Sequence, residues 1–470
     1  MLALLALTPC LTLLVTIVVL GRGGLTGATC ALVVTLMLWA GGVFSPADGR
    51  ALADALVDAA LLTAVVASVI LPGLAFVATT ERCGSREAIG ELVARLELSP
   101  QRAALLIAAG VGVTVESVTG MGVSLLVTVP LLARLLGPTR TVAVALAGMS
   151  LMPWGAVALG TIVGAKIAGI DLATFGHAVW VQSGPIAFLV PLVVVAVLPG
   201  RAAADIALAA VAGLVMVAVL GGATRVLGIE VAGAFAGLAV AAVVAGPRLR
   251  SMPDALRDRR LAPYAVLLAA VVLQKLLLRL LDGDQSGLTL STGRIVWDPV
   301  TTPGVALAVA TIAAGGATRL GGAWGALARR SARVMAAIVV FLAGARLLLE
   351  SGGIDALVAS ISGLGATWAL TATGALGSLS GFIAGSAVVG NALFMPSAAE
   401  VGSLFDAREL FAALQNAGAA HGAVASLPLA TLVAAAMPGD ARGVDRTAMR
   451  IGLVLAGVYA ITMIAWAHLR

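Results

Sequence analysis

Runs of apolar residues about as long as a bilayer is thick make up most of the chain, separated by short clusters of arginine and acid. A helix that crosses the hydrocarbon core needs roughly 20 mainly apolar residues. Twelve runs meet that need, at about 2–20, 24–45, 55–78, 141–171, 176–199, 203–221, 228–246, 262–281, 303–318, 332–350, 410–437 and 450–468. The run at 303–318 is the shortest. The expected fold class is an all-α polytopic membrane protein with about 12 transmembrane helices. The first run, Leu2–Leu20, lacks the basic segment of a cleaved signal peptide and is expected to be a retained span.

Two further apolar stretches, 103–133 and 367–396, have the wrong length. Each is about 30 residues, where two spans would need roughly 40. The first reads VGVTVESVTGMGVSLLVTVP, with Glu116, Gly120 and Gly122 inside it. The second reads GSLSGFIAGSAVVGNALFMP, with Gly381, Gly385, Gly390 and Asn391 inside it. A helical hairpin that enters and leaves on one side satisfies both the length and the glycines. Irregular backbone at membrane depth is tolerated only when buried in protein or lining a wet cavity, so the two tips are the expected site.

Charge orients the spans. Only 11% of residues are charged and 60% are hydrophobic, against ~25% charged in soluble proteins. Arg248, Arg250, Arg257, Arg259 and Arg260 share one short loop, and Arg319, Arg329, Arg330 and Arg333 share another. Both loops are expected to be cytoplasmic. Loop 282–302, with Asp282, Asp284 and Asp298, then faces outward, as does 222–227. The segment 81–102, Arg22 and Arg201 face inward, and Arg50 and Arg225 are exceptions. Arg102, Arg134 and Arg140 put both ends of the first hairpin inside, and the same count puts both ends of the second outside. The chain thus divides into N-terminal helices (1–50), a transport repeat with hairpin 103–133 (51–200), connecting helices (201–330) and an inverted repeat with hairpin 367–396 (331–470). Inverted repeats with paired interrupted segments point to a secondary transporter with its substrate at the midplane.

The net charge of +6 does not imply nucleic acid, because the bases never form a stripe with aromatics. Cys10, Cys30 and Cys83 have neither metal spacing nor a disulfide framework. Three histidines, at 177, 421 and 468, argue against a multi-histidine metal site, and no cofactor is expected.

Glu116 is an acid in the middle of a long apolar stretch. An intramembrane carboxylate is costly and is read as a proton carrier, a cation ligand, or a cap for backbone N–H groups at the break. Lys166, on the interrupted run 141–171, can hold an anion, neutralise Glu116, or snorkel to the outer interface. Thr114, Ser117, Thr119, Gly120 and Gly122 offer hydroxyls and free amides at the first tip, and Gly385, Ser386 and Asn391 do so at the second. A helix N-terminus following each break suits an anion, while small residues also serve close helix packing. Pro153, Trp154 and Gly155 interrupt one span, and Asn416, Gly418, His421 and Gly422 its partner. Freed carbonyls at such breaks can bind a cation or substrate. His421 is either a proton relay or a hydrogen-bonded residue of a kink. Arg346 lies near the outer end of its span and either snorkels or attracts anions.

The sequence GFIAGSAVVGNALF (381–394) resembles a signature of the L-lactate permease family, in which Thr-Gly-Ser-Asp leads to Asn-Ala-Leu-Phe. ESVTGMG (116–122) is similar to that family's Glu-Gly-Ala-Ala-Gly-Phe-Gly. WGAVALG (154–160), IAGID (167–171) and LQNAGAAHGAVAS (414–426) resemble further segments in the same order. The match covers roughly 51–200 and 330–470. The resemblance implies a hairpin-bearing transporter, akin to the wider ion-transporter superfamily, that carries lactate, glycolate or related 2-hydroxy monocarboxylates with protons. Glu116, Gly120, Gly122, Gly155, Gly385, Ser386, Asn391, Asn416 and Ser426 occupy motif positions. The family's Asp is Ala387 here, its Thr-Ser-Ser is Val388, Val389 and Gly390, its Lys is Ala423, and an Asn-Thr pair is Gly148 and Met149. These losses point to a divergent member with a different organic anion.

The expected function is therefore symport of a small organic anion with protons, with Glu116 as carrier. The binding residues would be Ser117, Thr119, Gly120, Gly122, Gly155, Gly385, Ser386, Asn391, Asn416, His421 and Ser426. Alternatives on the same scaffold are Na⁺ coupling or cation/proton antiport. A membrane enzyme lacks a nucleophile or metal constellation, a scaffold subunit needs no broken helices, and an ATP-driven pump would need a Walker motif. The partners are the anion, protons or Na⁺, and the lipid bilayer; by analogy with hairpin transporters, a homodimer is also expected.

Overall fold

The computed structural model describes residues 1–120, 122–155, 158–251, 257–280, 288–292, 294–439 and 442–470, with the side chains at 18, 247, 250 and 279 left out of the description. The outward-loop acids Asp282 and Asp284, and the side chain of Arg250, lie outside the described residues.

Local chemistry sets where the apolar runs become helices. Asp48 accepts a hydrogen bond from the Arg50 amide (3.0 Å) and starts α3 (Gly49–Arg82). Ser99 caps the next long helix, with Pro100 in its first turn. Asp171 accepts from the Thr174 amide (3.0 Å) and starts α9 (Leu172–Ala196). An N-cap side chain satisfies one of the amides that a helix start leaves unbonded, and proline there sacrifices no bond.

In chain order, α1 (Leu2–Leu14, continued by a π-turn at Val15–Val19) and α2 (Gly24–Ala40) precede α3. The amphipathic α4 (Ser85–Arg95) leads to α5 (Pro100–Thr119), α6 (Val123–Ala133), α7 (Pro138–Met149) and α8 (Leu159–Ala168). After α9 come α10 (Ala203–Val226), α11 (Ile229–Arg250, kinked at Gly246) and α12 (Ala262–Leu280). A two-stranded ribbon, β1 (Leu290–Ser291) and β2 (Val296–Trp297), precedes α13 (Gly304–Ala313) and α14 (Trp324–Glu350). The rest is α15 (Gly353–Ser362), α16 (Ala366–Ala384), α17 (Ala387–Leu404), α18 (Arg408–Gly422), α19 (Leu427–Ala436) and α20 (Val444–His468).

Among the described residues, eight helices are long and apolar enough to cross a membrane, or nine if the bent pair α18–α19 is one span. This differs from the expected twelve for identifiable reasons. The run 141–171 is split by the Pro153–Gly155 break into α7 and α8. The run 303–318 is broken after the ten-residue α13, and Gly21, Gly23, Gly24, Gly41 and Gly42 confine α1 and α2. Conversely α5, expected as one arm of a hairpin, is itself long enough at 20 residues.

Loop contacts sort the chain ends. At one end Gln101 donates to the Pro199 carbonyl (2.9 Å), Arg102 pairs with Asp205 (3.6 Å), and Arg248 donates to the Leu96 and Glu97 carbonyls (2.8 and 2.6 Å). Arg260 clasps Glu91 and Asp258 there, and holds both carboxyls below the usual carboxylate range through its hydrogen bonds. A lowered carboxyl contributes above its unfolded pKa and loses that contribution as pH falls through the folded value, so this exposed clasp persists at neutral pH. At the other end Arg408 donates to the Ala168 carbonyl (2.5 Å) and Lys166 to the Val296 carbonyl (2.6 Å). The 25 residues of α9 separate the two ends by about 37 Å at the α-helical rise. Three of the loops expected inside, at 95–102, 199–205 and 248–260, thus meet at one end, and 166–171, 296 and 403–408 meet at the other. The base of the α5–α6 pair lies with the first group, and that of α16–α17 with the second.

The longest contacts in sequence pair helices of the two halves. α8 packs on α17 and α6 on α19; α7 packs on α20 and α9 on α18. A separate apolar cluster joins α3, α12, α13 and α14, and reaches α5 at Val118, α8 at Leu159 and α17 at Val388. Within it Asp58 of α3 pairs with Arg346 of α14, both buried at 3% and 5% exposure. Arg346 therefore neither snorkels nor faces solvent, and Glu116 is not the sole acid buried along an apolar run. Removing one partner strands a buried charge, so Asp58→Leu or Arg346→Leu alone should cost about 3–5 kcal/mol. The double variant should recover most of that loss, as read by thermal unfolding of the purified protein.

Candidate functional site

Between α5 and α6 the chain reverses at 120–122, where Gly120 and Gly122 hold φ of 61° and 78°. Those values favour glycine, and a side chain at 122 would also meet Leu429 and Leu432 of α19 at 2.9 Å. Glu116, 3% exposed, points back across the turn. Its Oε1 accepts from the Gly122 amide (3.1 Å), and its Oε2 accepts from the Ser124 amide (3.3 Å) and hydroxyl (2.7 Å). Three donors thus meet two carboxylate oxygens at the start of α6, an N-terminal cap closed across the break. Lys166 does not join this group, because its ammonium is on the Val296 carbonyl near the far end of the bundle. Gly155 lies against Glu116: a Cβ there would sit 3.7 Å from Glu116 Cγ. Ser117 instead faces Gly233 of α11, and the Thr119 hydroxyl is spent on the Val115 carbonyl (2.5 Å). These two hydroxyls, expected to bind substrate, do not converge with the carboxylate.

The second break lies at Gly385 and Ser386, between α16 and α17, with Gly385 at φ 63°. It abuts the bend of α18–α19: a Cβ at Gly385 would sit 3.0 Å from Ser426 Oγ. One turn into α17, Asn391 donates to the Gly160 carbonyl (2.9 Å) and to Asn416 Oδ1 (2.7 Å). Asn416 in turn donates to Thr161 Oγ1 (3.1 Å), whose hydroxyl donates to the Pro153 carbonyl (2.7 Å). This chain of bonds runs from α17 through α18 to the break beside Gly155, so it links the surroundings of both tips. Among the described residues, the buried oxygens Asn391 Oδ1, Gln415 Oε1 and Ser426 Oγ have no partner.

His421 stands apart from both groups and is fully buried. Its Nδ1 is 2.6 Å from the Ser150 carbonyl and its Nε2 3.1 Å from Ser183 Oγ. A carbonyl only accepts, so Nδ1 carries the proton and Nε2 accepts from the serine. Ser150 also bonds the Tyr459 hydroxyl (2.9 Å). Both ring nitrogens are thus occupied within the helix packing.

Among the described residues no cluster of three or more His, Cys, Asp and Glu side chains could hold a metal. Sequence reasoning passed over Ser124, Thr161, Ser150 and Ser183, each of which bonds a residue that it singled out. Ser124 alone carried a signal, since a hydroxyl two residues past a glycine break is placed to serve a helix start.

Ser124→Ala removes a hydrogen bond to a charged group and should destabilise the protein by about 1.5–3 kcal/mol. Gly122→Ala should cost at least the ~1–2 kcal/mol of a left-handed backbone. Thermal unfolding of the purified variants checks both. No family model matches the chain and no curated protein matches its sequence, so the resemblance to the L-lactate permease family rests on the quoted motifs alone.

Proposed function

We propose that this multi-pass membrane protein is a secondary active transporter, and not an enzyme, that moves a small organic anion in symport with protons by alternating access. The anion is a monocarboxylate such as lactate or glycolate. The observation that carries this reading is the pair of helix breaks based at opposite ends of the bundle, each tip lodged against an interrupted helix. In this reading α5–α6 and α16–α17 are re-entrant hairpins of two inverted repeats. Broken helices at membrane depth are costly, and they recur where a transporter binds its substrate. Glu116 supplies the ionisable group at one tip and carries the coupling proton when the tip opens.

A second reading, Na⁺ coupling or cation/proton antiport on the same scaffold, is favoured by one observation. Asn391 Oδ1, Gln415 Oε1 and Ser426 Oγ are buried oxygens without hydrogen-bond partners among the described residues, and oxygen is what a hard cation binds.

Uptake of labelled lactate and glycolate into proteoliposomes under imposed pH or Na⁺ gradients decides between them. Acceleration by an inward proton gradient is expected, with uphill accumulation lost in Glu116→Gln while membrane insertion is unchanged. Stimulation by Na⁺ alone selects the second reading, and no uptake under any gradient sinks both. Inversion is tested in a variant without native cysteines: Gly137→Cys and Glu400→Cys should react with an impermeant maleimide from opposite sides.

A further inference from the structure

A cavity of about 560 Å³ opens at the end of the bundle expected to face outward, away from both tips. It is walled by the ends of α8, α10 and α12, the starts of α9 and α11, and the segment from the β-ribbon to Pro303. Its polar lining includes Lys166, Asp171, Thr224, Arg225, Glu230, Lys275 and Arg294, besides Thr301 and Thr302, whose hydroxyls donate to the Asp298 and Pro299 carbonyls. The chain's only two lysines are both here.

Hydrogen-bond accounting shows what this cavity lacks. Lys275 pairs with Glu230 (2.5 Å), and Glu230 is 3% exposed. Lys166 spends one of its three N–H bonds on the Val296 carbonyl, with Asp298 close enough to act on its charge. Arg225 stacks over Trp180 at 5.2 Å, Arg294 pairs with Glu350, and Asp171 is committed to the start of α9. The hydroxyl of Thr224, a residue 5% exposed, has no partner among the described residues, and neither does Glu230 Oε2. The lining therefore offers a surplus of donors from Lys166, Lys275, Arg225 and Thr224, and one buried acceptor, Glu230 Oε2. A ligand that satisfies both has a carboxylate and, beside it, a hydrogen-bond donor of its own. The volume is within the range of small-molecule sites.

We propose that this outer-end cavity is a binding site for a small carboxylate anion bearing a hydrogen-bond donor. The carboxylate lies among Lys166, Arg225 and the Thr224 hydroxyl, and the ligand's donor reaches Glu230 Oε2. The site is distinct from the hairpin tips. It goes beyond the transport reading, because binding at this cavity does not depend on whether the chain moves its ligand. α8 connects the two regions: Gly160 and Thr161 meet the asparagine pair, while Ile162, Ala165 and Lys166 line the cavity.

Saturation binding of radiolabelled glycolate to the full chain in nanodiscs tests the site, with acetate as the competitor that lacks the hydroxyl. Glycolate should bind saturably, and acetate should compete at least about tenfold more weakly, the loss expected when a buried polar group is left unpaired. Lys166→Gln/Arg225→Gln and, separately, Thr224→Val should weaken glycolate by about tenfold or more. Lys166→Arg should retain binding, and Thr29→Ala on α2, an exposed hydroxyl bonded within its own helix, should leave it unchanged. Each variant is first matched to wild type in melting temperature. Unsaturable binding to the wild type, equal competition by acetate, or wild-type affinity in the double variant overturns the proposal. Uptake measured in parallel separates the two readings: binding without uptake sinks transport alone, and uptake with unaltered binding in the double variant sinks the site alone.

Discussion

An interrupted helix in hydrocarbon must find hydrogen bonds for the backbone groups that its break exposes, and the architecture follows from how this chain supplies them. The break after α7 is closed largely from the other half of the sequence. His421 takes the Ser150 carbonyl, and Asn391 takes the Gly160 carbonyl. Thr161 takes the Pro153 carbonyl while accepting from Asn416. The break after α5 is closed by its own carboxylate, as Glu116 accepts from the amides that begin α6. The two halves are thus joined by polar bonds whose alternative is an unsatisfied group out of reach of water. The second break is less complete, because Ser426 and Asn391 each keep an oxygen without a partner among the described residues.

Around this polar seam the packing depends on small residues. Gly418 on α18 lies so close to α16 that a Cβ would be 3.0 Å from Gly377 Cα, and Gly237 on α11 would meet the Gly110 carbonyl at 2.7 Å. In a bilayer, where lipid is as apolar as leucine, close approach of backbones and interhelical hydrogen bonds hold helices together. The cluster of α3, α12, α13 and α14 adds the buried Asp58–Arg346 pair, and the Lys275–Glu230 pair ties α12 of that cluster to α11. α11 is itself seated against α5 through Gly233 and Gly237.

How much of this was legible in the sequence follows from what each signal measures. Apolar run length and glycine position are local, so the breaks at Gly120 and Gly122, at 153–155 and at 385–386 were readable, whereas the break expected at Asn416, Gly418, His421 and Gly422 falls later, because α18 stays helical to Gly422 and the chain bends only at 423–426. The number of full-length spans was overestimated where glycine and proline shorten a helix inside an apolar run, as in α1, α2 and α13. Buried ion pairs were missed for a different reason. Asp58 and Glu230 sit near the ends of their apolar runs and look interfacial until the partner helix is known. Arg346 and Lys275, 288 and 45 residues away, supply that information only in three dimensions. The same holds for Thr161 and Ser183, ordinary hydroxyls in sequence, whose roles exist only because distant asparagine and histidine side chains reach them.

The ten-residue α8 is held by separate bonds near each end. Asn391 grips it at Gly160, and the Val296 and Arg408 contacts anchor it at Lys166 and Ala168. One short helix therefore belongs to two neighbourhoods at once, the lysine at the rim lying about 9 Å along it from the asparagine pair at the α-helical rise. A substitution that displaces either end has its nearest consequence at the other.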